Sequence, residues 1–569
     1  MSLTSYIPPF FERIFHRAGE AASRTWRYFR DGWLAAALLL GLLLGAQGFT
    51  WGTYDCLNLD RMALKNMLSK EHPPLHPGRF FKPPFYTYMN HFLARVPAQT
   101  FASNLFWMPG DQRFDLYLKL RLALARFWNL ILFAGSVLLV YAVTREYFGL
   151  TSARMAVLIL ATSAGFVPYQ VFLTTDLAVI FMMLAAFACA AVVARTPTLG
   201  WSVAAGLLTG LATATKYNGL FVAVALPAAH LLASRGNPVM ASLRRPAAWI
   251  CGLMVPVGFV LGSPYAAWDF RSFASDFVYN YRVTPVYGGE SGDNGYGKYF
   301  QAYFEIFGWP GLAFLVAGIL VGLVAVWRAR RVSDAWKLSV LAGLCIIFYA
   351  WRIGMFPRME TRFVLPSAPF VLLLAAAGFG AMMRLRWVTG PVLGAILIFN
   401  LLCGWWMGEL FRRDPRNGLL EFASETIAPG TKIEVSPSIP RLNDLPGKDF
   451  RLLRMPSGVD RYARFAEQFS EDDDVMNVVS LRQEGGGIEW FAPEARRKRN
   501  PEWIFWSSID LEHGTWPFYE DLMCETAESS GYWIVRDEKS PPLPSWVYPQ
   551  HTEFLQNRAT VWKKYLPAP

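Results

Sequence analysis

The stretch 124–195, LARFWNLILFAGSVLLVYAVTREYFGLTSARMAVLILATSAGFVPYQVFLTTDLAVIFMMLAAFACAAVVAR, holds three long apolar runs, near 124–143, 155–172 and 177–194. Arg145 and Arg154 fall in the first gap, and only 173–176 separate the second run from the third. Roughly 17–25 apolar residues suffice for a helix to cross the hydrocarbon of a bilayer. Three such runs in succession, joined by short polar turns, predict a polytopic α-helical membrane protein. Further runs lie near 33–50, 201–215, 217–233, 248–267, 309–327, 338–351, 364–383 and 387–407. The expected total is about eleven spans, of which the fifth, sixth and ninth are short.

Composition agrees. Of 569 residues, 53% are hydrophobic and 17% charged, unlike a soluble domain of this length. The net charge of +11 does not point to nucleic acid, because the basic residues sit in short loops between apolar runs. Arg145 and Arg154 follow span two, Arg195 span four, Arg235, Arg244 and Arg245 span six, Arg328, Arg330, Arg331 and Lys337 span eight, and Arg384 and Arg386 span ten. Every even-numbered span thus ends in a basic loop, which the positive-inside rule assigns to the cytoplasm. The expected topology has the N-terminus inside and the C-terminus outside, in the inner (cell) membrane. A reporter fused after Val435 is then expected to be active only on the outer side. Activity in the cytoplasm would overturn the topology and every site built on it.

The expected organisation is a cytoplasmic amphipathic N-terminus over 1–32, a membrane domain over 33–407 and an extracytoplasmic α/β domain over 408–569. Arg13, Arg17, Arg24, Arg27 and Arg30 precede the first apolar run, which reads as a retained anchor rather than a cleaved signal. In the tail, strand-like TKIEV (431–435), EWIFWSSI (502–509) and YWIV (532–535) alternate with helical stretches 459–469 and 518–530. Cys189, Cys251, Cys345 and Cys403 fall in apolar runs. Only Cys56 and Cys524 are in polar segments, where a bridge would have no further support.

Candidate chemistry gathers on the outer side. In the loop 51–122, Trp51 and Tyr54 mark the membrane interface, and 57–68 reads as an amphipathic helix lying on the membrane. HPPLHPGRFFKPPFYTYMNHFL follows; Pro83 and Pro84 suit the first turn of a second helix, with Lys82 at its N-terminus, where anions are favoured. Asp55, just past span one, can take a proton from a hydroxyl acceptor or simply cap a helix. Asp176, in LTTDLAVIFMML, lies at the same expected depth and is either functional or part of an N-cap cluster. Lys216, in LATATKYNGLF, either snorkels or faces a polar cavity. Arg358 and Arg362, in FPRMETRFVLPSAPF, either hold an anionic ligand or belong to a solvated loop. The Gly-rich 285–299 lacks a phosphate-loop context and is either a mobile lid or a plain linker. His72, His76 and His91 lack zinc spacing; EDDD (471–474) and RRKR (496–499) read as solvated surface.

Five segments in order resemble the GT-C membrane glycosyltransferases, in particular the protein O-mannosyltransferase and aminoarabinose transferase group. They are the acidic residue after span one (Asp55), KPPFYTY (82–88), TTDLAVIF (174–181), LATATKYNG (211–219) and RMETRFVLPSAPFVLLLAAAG (358–378). The tail from RRDPRNGLLEFASETIAPGTKIEV looks like the outer domain of bacterial members. The resemblance implies inverting transfer of a sugar from a polyprenyl-phosphate donor to a protein, lipid A, other lipid or glycan acceptor on the outer face. It implies Asp55 as catalytic acidic residue and Asp176 as a second acidic position. Lys82, Lys216 and Arg362 would stand near the lipid phosphate, and Tyr86, Arg358 and Asp60 complete the expected substrate-binding set. Many members carry paired Asp-Glu at the first site; here Cys56 follows Asp55, which makes Asp60 a rival for part of the site. No cofactor is expected, and a divalent cation stays open without ligand spacing to support it. The alternative class is a transporter or flippase of lipid-linked glycans. It would place charges at midplane depth in broken, repeated helices, and the spans show no clear charge there.

Overall fold

The computed structural model describes residues 30–51, 73–234, 238–282, 295–328, 333–356, 359–436, 439, 442, 450–454, 498–508, 532–542, 544, 546–547 and 558–564. The chain opens on α1 (Gly32–Ala46). Phe85–Asn90 forms α2, which runs through a π-turn at His91–Arg95 into α3 (Val96–Ser103). Then come α4 (Gly110–Phe148), α5 (Leu150–Thr162), α6 (Val167–Val171), α7 (Asp176–Arg195) and α8 (Leu199–Thr215). A 3-10 turn over Tyr217–Val224 leads into α9 (Ala225–Leu232), followed by α10 (Pro238–Leu243), α11 (Pro246–Gly262), α12 (Tyr265–Trp268) and α13 (Phe270–Arg282). The last membrane-domain helices are α14 (Tyr296–Arg328), α15 (Asp334–Ile353), α16 (Thr361–Val364), α17 (Ala368–Met382) and α18 (Arg386–Arg412).

Each expected span meets helix. Among the described residues, five helical runs are long and apolar enough to cross a membrane, or six if the pair Leu150–Thr162 and Ala164–Val171, bent by 53°, is one span. The shorter apolar helices Gly32–Ala46, Leu199–Thr215, Tyr217–Leu232 and Pro246–Gly262 coincide with spans one, five, six and seven. The protein is thus a helical membrane protein. One difference concerns α4, which begins at Gly110, well before the apolar run near 124–143: its first turns are polar and extend the helix beyond the expected span.

Two backbone features shape the bundle. α8 and α11 meet through small residues, with Gly206 and Gly210 one turn apart on α8. A Cβ on Gly206 would fall 2.2 Å from the Cys251 carbonyl oxygen, and one on Gly210 2.2 Å from that of Val255. Only glycine allows this approach, the usual means of tight helix packing where lipid supplies no hydrophobic drive. In α14, Gly308 takes φ +68°, and with Pro310 it breaks the helix into two arms. At one end of the bundle Asp31 caps α1 through the Trp33 N–H (3.1 Å), accepts from the Tyr141 hydroxyl (2.6 Å) and pairs with Arg154 (3.0 Å), pinning α1, α4 and α5 together.

After α18 come α19 (Pro415–Thr426) and a five-stranded sheet of β1 (Lys432–Val435), β2 (Arg451–Arg454), β3 (Trp503–Ser507), β4 (Tyr532–Lys539) and β5 (Arg558–Lys564), in the order β2-β1-β3-β5-β4. β1 is parallel to both β2 and β3, and β5 is antiparallel to β3 and β4. Central β3 is buried along its whole length, whereas edge strand β4 carries Arg536, Asp537, Glu538 and Lys539 in a row, charges that discourage pairing with another chain. The three strand-like sequence runs fall on β1, β3 and β4. β2 and β5, RLLR and RATVWKK, carry charges at their ends that hid them. The helical stretches expected at 459–469 and 518–530 lie outside the described residues, as do Cys56 and Cys524.

Candidate active site

The site is built from four elements that converge at the end of the bundle opposite Asp31. α7 starts at Asp176. Thr175 holds the N-cap position but gives no side-chain cap, and the Asp176 carboxylate, 2% exposed, accepts instead from Lys216 Nζ at 2.6 Å. Thr175 and Asp176 thus stand at the start of α7, where the N-cap cluster reading puts them, but the Asp176 carboxylate pairs with Lys216, which turns inward to meet it. Lys216 reaches this position because the helix breaks there: its extended backbone (φ −157°, ψ 134°) joins α8 to the 3-10 turn. A buried carboxylate needs such a partner, since an isolated charge removed from water is costly.

Arg362 enters from α16. Its Nε lies 2.5 Å from Glu360, and its guanidinium and the Lys216 ammonium both stand over the Phe363 ring, at 5.4 and 5.6 Å. The neighbouring Thr361 hydroxyl donates to Glu305 of α14. Lys82, from the segment before α2, interacts electrostatically with Arg362, Asp176, Lys216 and Glu360. Its side chain is exposed by accessible surface although the surrounding protein crowds it. That crowding, and next the charge of Arg362, push its ammonium down to about 7; water reaching the side chain works against the depression.

Behind this cluster stands a second layer. Buried Tyr86 donates to Asn129 Oδ1 (2.9 Å), and Asn129 Nδ2 donates to the Phe172 carbonyl (2.8 Å). One turn earlier, Arg126 donates to the Phe49 and Val171 carbonyls at 2.5 and 3.2 Å. α4 thus holds both the end of α1 and the strand-like link that leads into Asp176. Asn218 Nδ2 donates to Tyr349 at 2.6 Å, fixing the chain just past Lys216. Sequence reasoning missed Asn129, Arg126, Glu305, Glu360 and Asn218. For the first two a signal existed, namely polar side chains inside or beside an apolar run, which are rarely placed there without a function.

Of the expected site residues, Asp176, Lys82, Tyr86, Lys216 and Arg362 come together. Asp55, Asp60 and Arg358 lie outside the described residues, as do 285–294 of the Gly-rich segment. Trp51 corrects an expectation: it does not float at an interface but is 4% exposed, its Nε1–H donating to Asp414 at 2.9 Å. Among the described residues no group of three or more His, Cys, Asp or Glu side chains could hold a metal ion.

A family model described as dolichyl-phosphate-mannose-protein mannosyltransferase matches residues 118–268. That segment contains Asp176 and Lys216 but neither Lys82 nor Arg362. No curated protein matches the sequence. The crystal structure of ArnT from Cupriavidus metallidurans bound to undecaprenyl phosphate is similar over 94% of this chain and 98% of its own, at 13% identity and a TM-score of 0.53. The chain shares the ArnT fold. The apo state of ArnT from the same organism matches at 13% identity and a TM-score of 0.52, with the same coverage. The resemblance read from the ordered motifs is thereby borne out at the level of fold, over almost the full length of both chains.

Proposed function

We propose that the protein is a membrane glycosyltransferase that moves a sugar from a polyprenyl-phosphate donor to an acceptor hydroxyl or amide at the outer membrane surface. The observation that carries this reading is the convergence of Lys82, Lys216 and Arg362 around a buried carboxylate, at one end of a helical bundle with the ArnT fold. The ArnT structure holds undecaprenyl phosphate, and a family model of mannosyl transfer covers 118–268. In the proposed reaction the acceptor oxygen or nitrogen attacks the anomeric carbon, the bond from that carbon to the phosphate oxygen breaks, and configuration inverts. The acceptor proton passes to Asp55. Polyprenyl phosphate leaves with one more negative charge, which Lys82, Lys216 and Arg362 stabilise; charge-assisted contacts of this kind are the strong ones. Asp176 holds Lys216 in place and orients the acceptor. Asp60 and Arg358, on two separate segments, are assigned to substrate binding.

An assay with purified protein and a lipid-linked sugar tests the class: transfer supports it, whereas movement of the intact lipid-linked glycan across vesicles without transfer would favour a transporter. Within the assay, Lys82→Ala and Arg362→Ala are expected to raise the donor KM about tenfold or more, or to abolish turnover, since each removes an ionic hydrogen bond to phosphate. Normal kinetics in both would remove the phosphate site.

The Lys82 environment adds a pH dependence. Crowding and the Arg362 charge hold the Lys82 ammonium below the usual lysine range in the free site, while a bound phosphate favours the charged form. Donor binding then takes up a proton as pH rises through the free-site value, so donor affinity should fall with rising pH, by at most about tenfold per pH unit. In Lys82→Ala that slope should vanish. A slope equal in both proteins would assign the proton to another group.

A further inference from the structure

We propose that the protein carries a second anion site that takes the phosphate of an anionic lipid headgroup. It lies between α3 and the start of α4, in a cavity of about 370 Å³ lined by Arg95, Gln99, Ser103, Gly110, Arg113 and Tyr117, none of which belongs to the donor site. Arg95 ends the π-turn, a register shift that re-aims a helix face and recurs at functional positions. Arg95 Nε and Nη1 and Arg113 Nε are shielded from solvent and find no acceptor among the described residues. A buried guanidinium N–H without an acceptor is costly, so ligand oxygens are its natural complement. The start of α4 adds to this: Pro109 at its N-cap offers no side-chain oxygen, which leaves the first N–H groups of a 39-residue helix beside the same cavity. Ser103 and Tyr117 supply hydroxyls, and Gln99 an amide.

The rim decides for a lipid. Phe114, which lines the cavity, is 53% exposed, and Phe101, Phe106 and Trp107, in α3 and the link from it to α4, are 55%, 82% and 72% exposed. Exposed aromatics in a membrane protein gather at headgroup level, so the cavity opens where lipid phosphates stand. Two guanidinium groups suit a phosphate oxygen pair better than a neutral headgroup.

The test titrates the full chain in non-ionic detergent with dioctanoyl phosphatidic acid, dioctanoylglycerol and inorganic phosphate, reading bound ligand by calorimetry and native mass spectrometry. Phosphatidic acid should occupy a site that survives Lys82→Ala and is weakened about tenfold or more in the Arg95→Gln/Arg113→Gln double variant. Ser103→Trp, which fills the cavity from an exposed position, should weaken it as much and keeps the test decisive if the double variant does not fold. Dioctanoylglycerol should not bind. Unchanged binding in Ser103→Trp, or binding lost in Lys82→Ala alone, would overturn the site. Inorganic phosphate binding as tightly as the lipid would overturn the lipid assignment. None of these readouts uses sugar transfer, so a failure here is separate from a failure of the proposed activity.

Discussion

Asp55→Asn should lower sugar transfer by about 10²–10⁴-fold, the usual cost of losing a general base. The amide keeps the shape of the carboxylate but cannot take the acceptor proton, so binding of the lipid donor should persist while turnover stops. Asp60→Asn is the matched control and should be much milder, because Asp60 is assigned to the polar face of an interfacial helix. Asp176→Asn should fall between the two: the change removes the negative partner of Lys216, 2.6 Å away, but leaves the base itself. The measurement is single-turnover transfer alongside donor binding for each variant. Near-normal transfer by Asp55→Asn together with a dead Asp60→Asn would move the base to Asp60.

Asp414→Ala should destabilise the protein by about 3–5 kcal/mol, the typical result of removing one partner from a buried ion pair. Asp414 is fully buried and takes two hydrogen bonds from the Arg416 guanidinium, at 2.9 and 2.6 Å, while also accepting from Trp51. Truncation would take from a guanidinium that is 3% exposed its two hydrogen bonds to Asp414 and leave the Trp51 N–H without its acceptor. Trp51 lies between two cations, Arg126 and Arg416, each 5.8 Å from its ring, and packs against Phe172 and Phe411. The junction of α18 with α19 therefore fixes the point where the chain leaves α1 toward Asp55. Asp537→Ala is the contrast: its pair with Arg558 is one-third exposed on both sides, and such pairs contribute about 0–1 kcal/mol. Thermal unfolding in detergent should separate the two variants clearly. Equal stabilities would show that the buried pair contributes no more than the exposed one.

The membrane class, the places of the helices and the residue types of the site were legible from the sequence alone. Apolar length is a local property: a run such as 177–194 must become a helix in lipid, because nothing else satisfies its backbone there. The same logic flagged Asp176, Lys216 and Arg362, since a charge beside a span stands out against an apolar background. In the tail, β1 and β3 carried enough apolar and β-branched character to be seen, while β2 and β5 became strands only through pairing with their neighbours.

What the tertiary structure decided is which charges meet. Asp176 and Lys216 are 40 residues apart, and neither is legible as the other's partner until α7 and the break after α8 are brought side by side. Trp51 looked like an interface marker because its only visible context was the end of a span; its buried partner, Asp414, lies 363 residues away. Neither Arg95 nor Arg113 stood out in the sequence, and they come to line one cavity only where α3 meets the start of α4. Hydropathy fixes depth along a helix, but pairing energy depends on distance and on exclusion of water. Both arise only when separate helices pack.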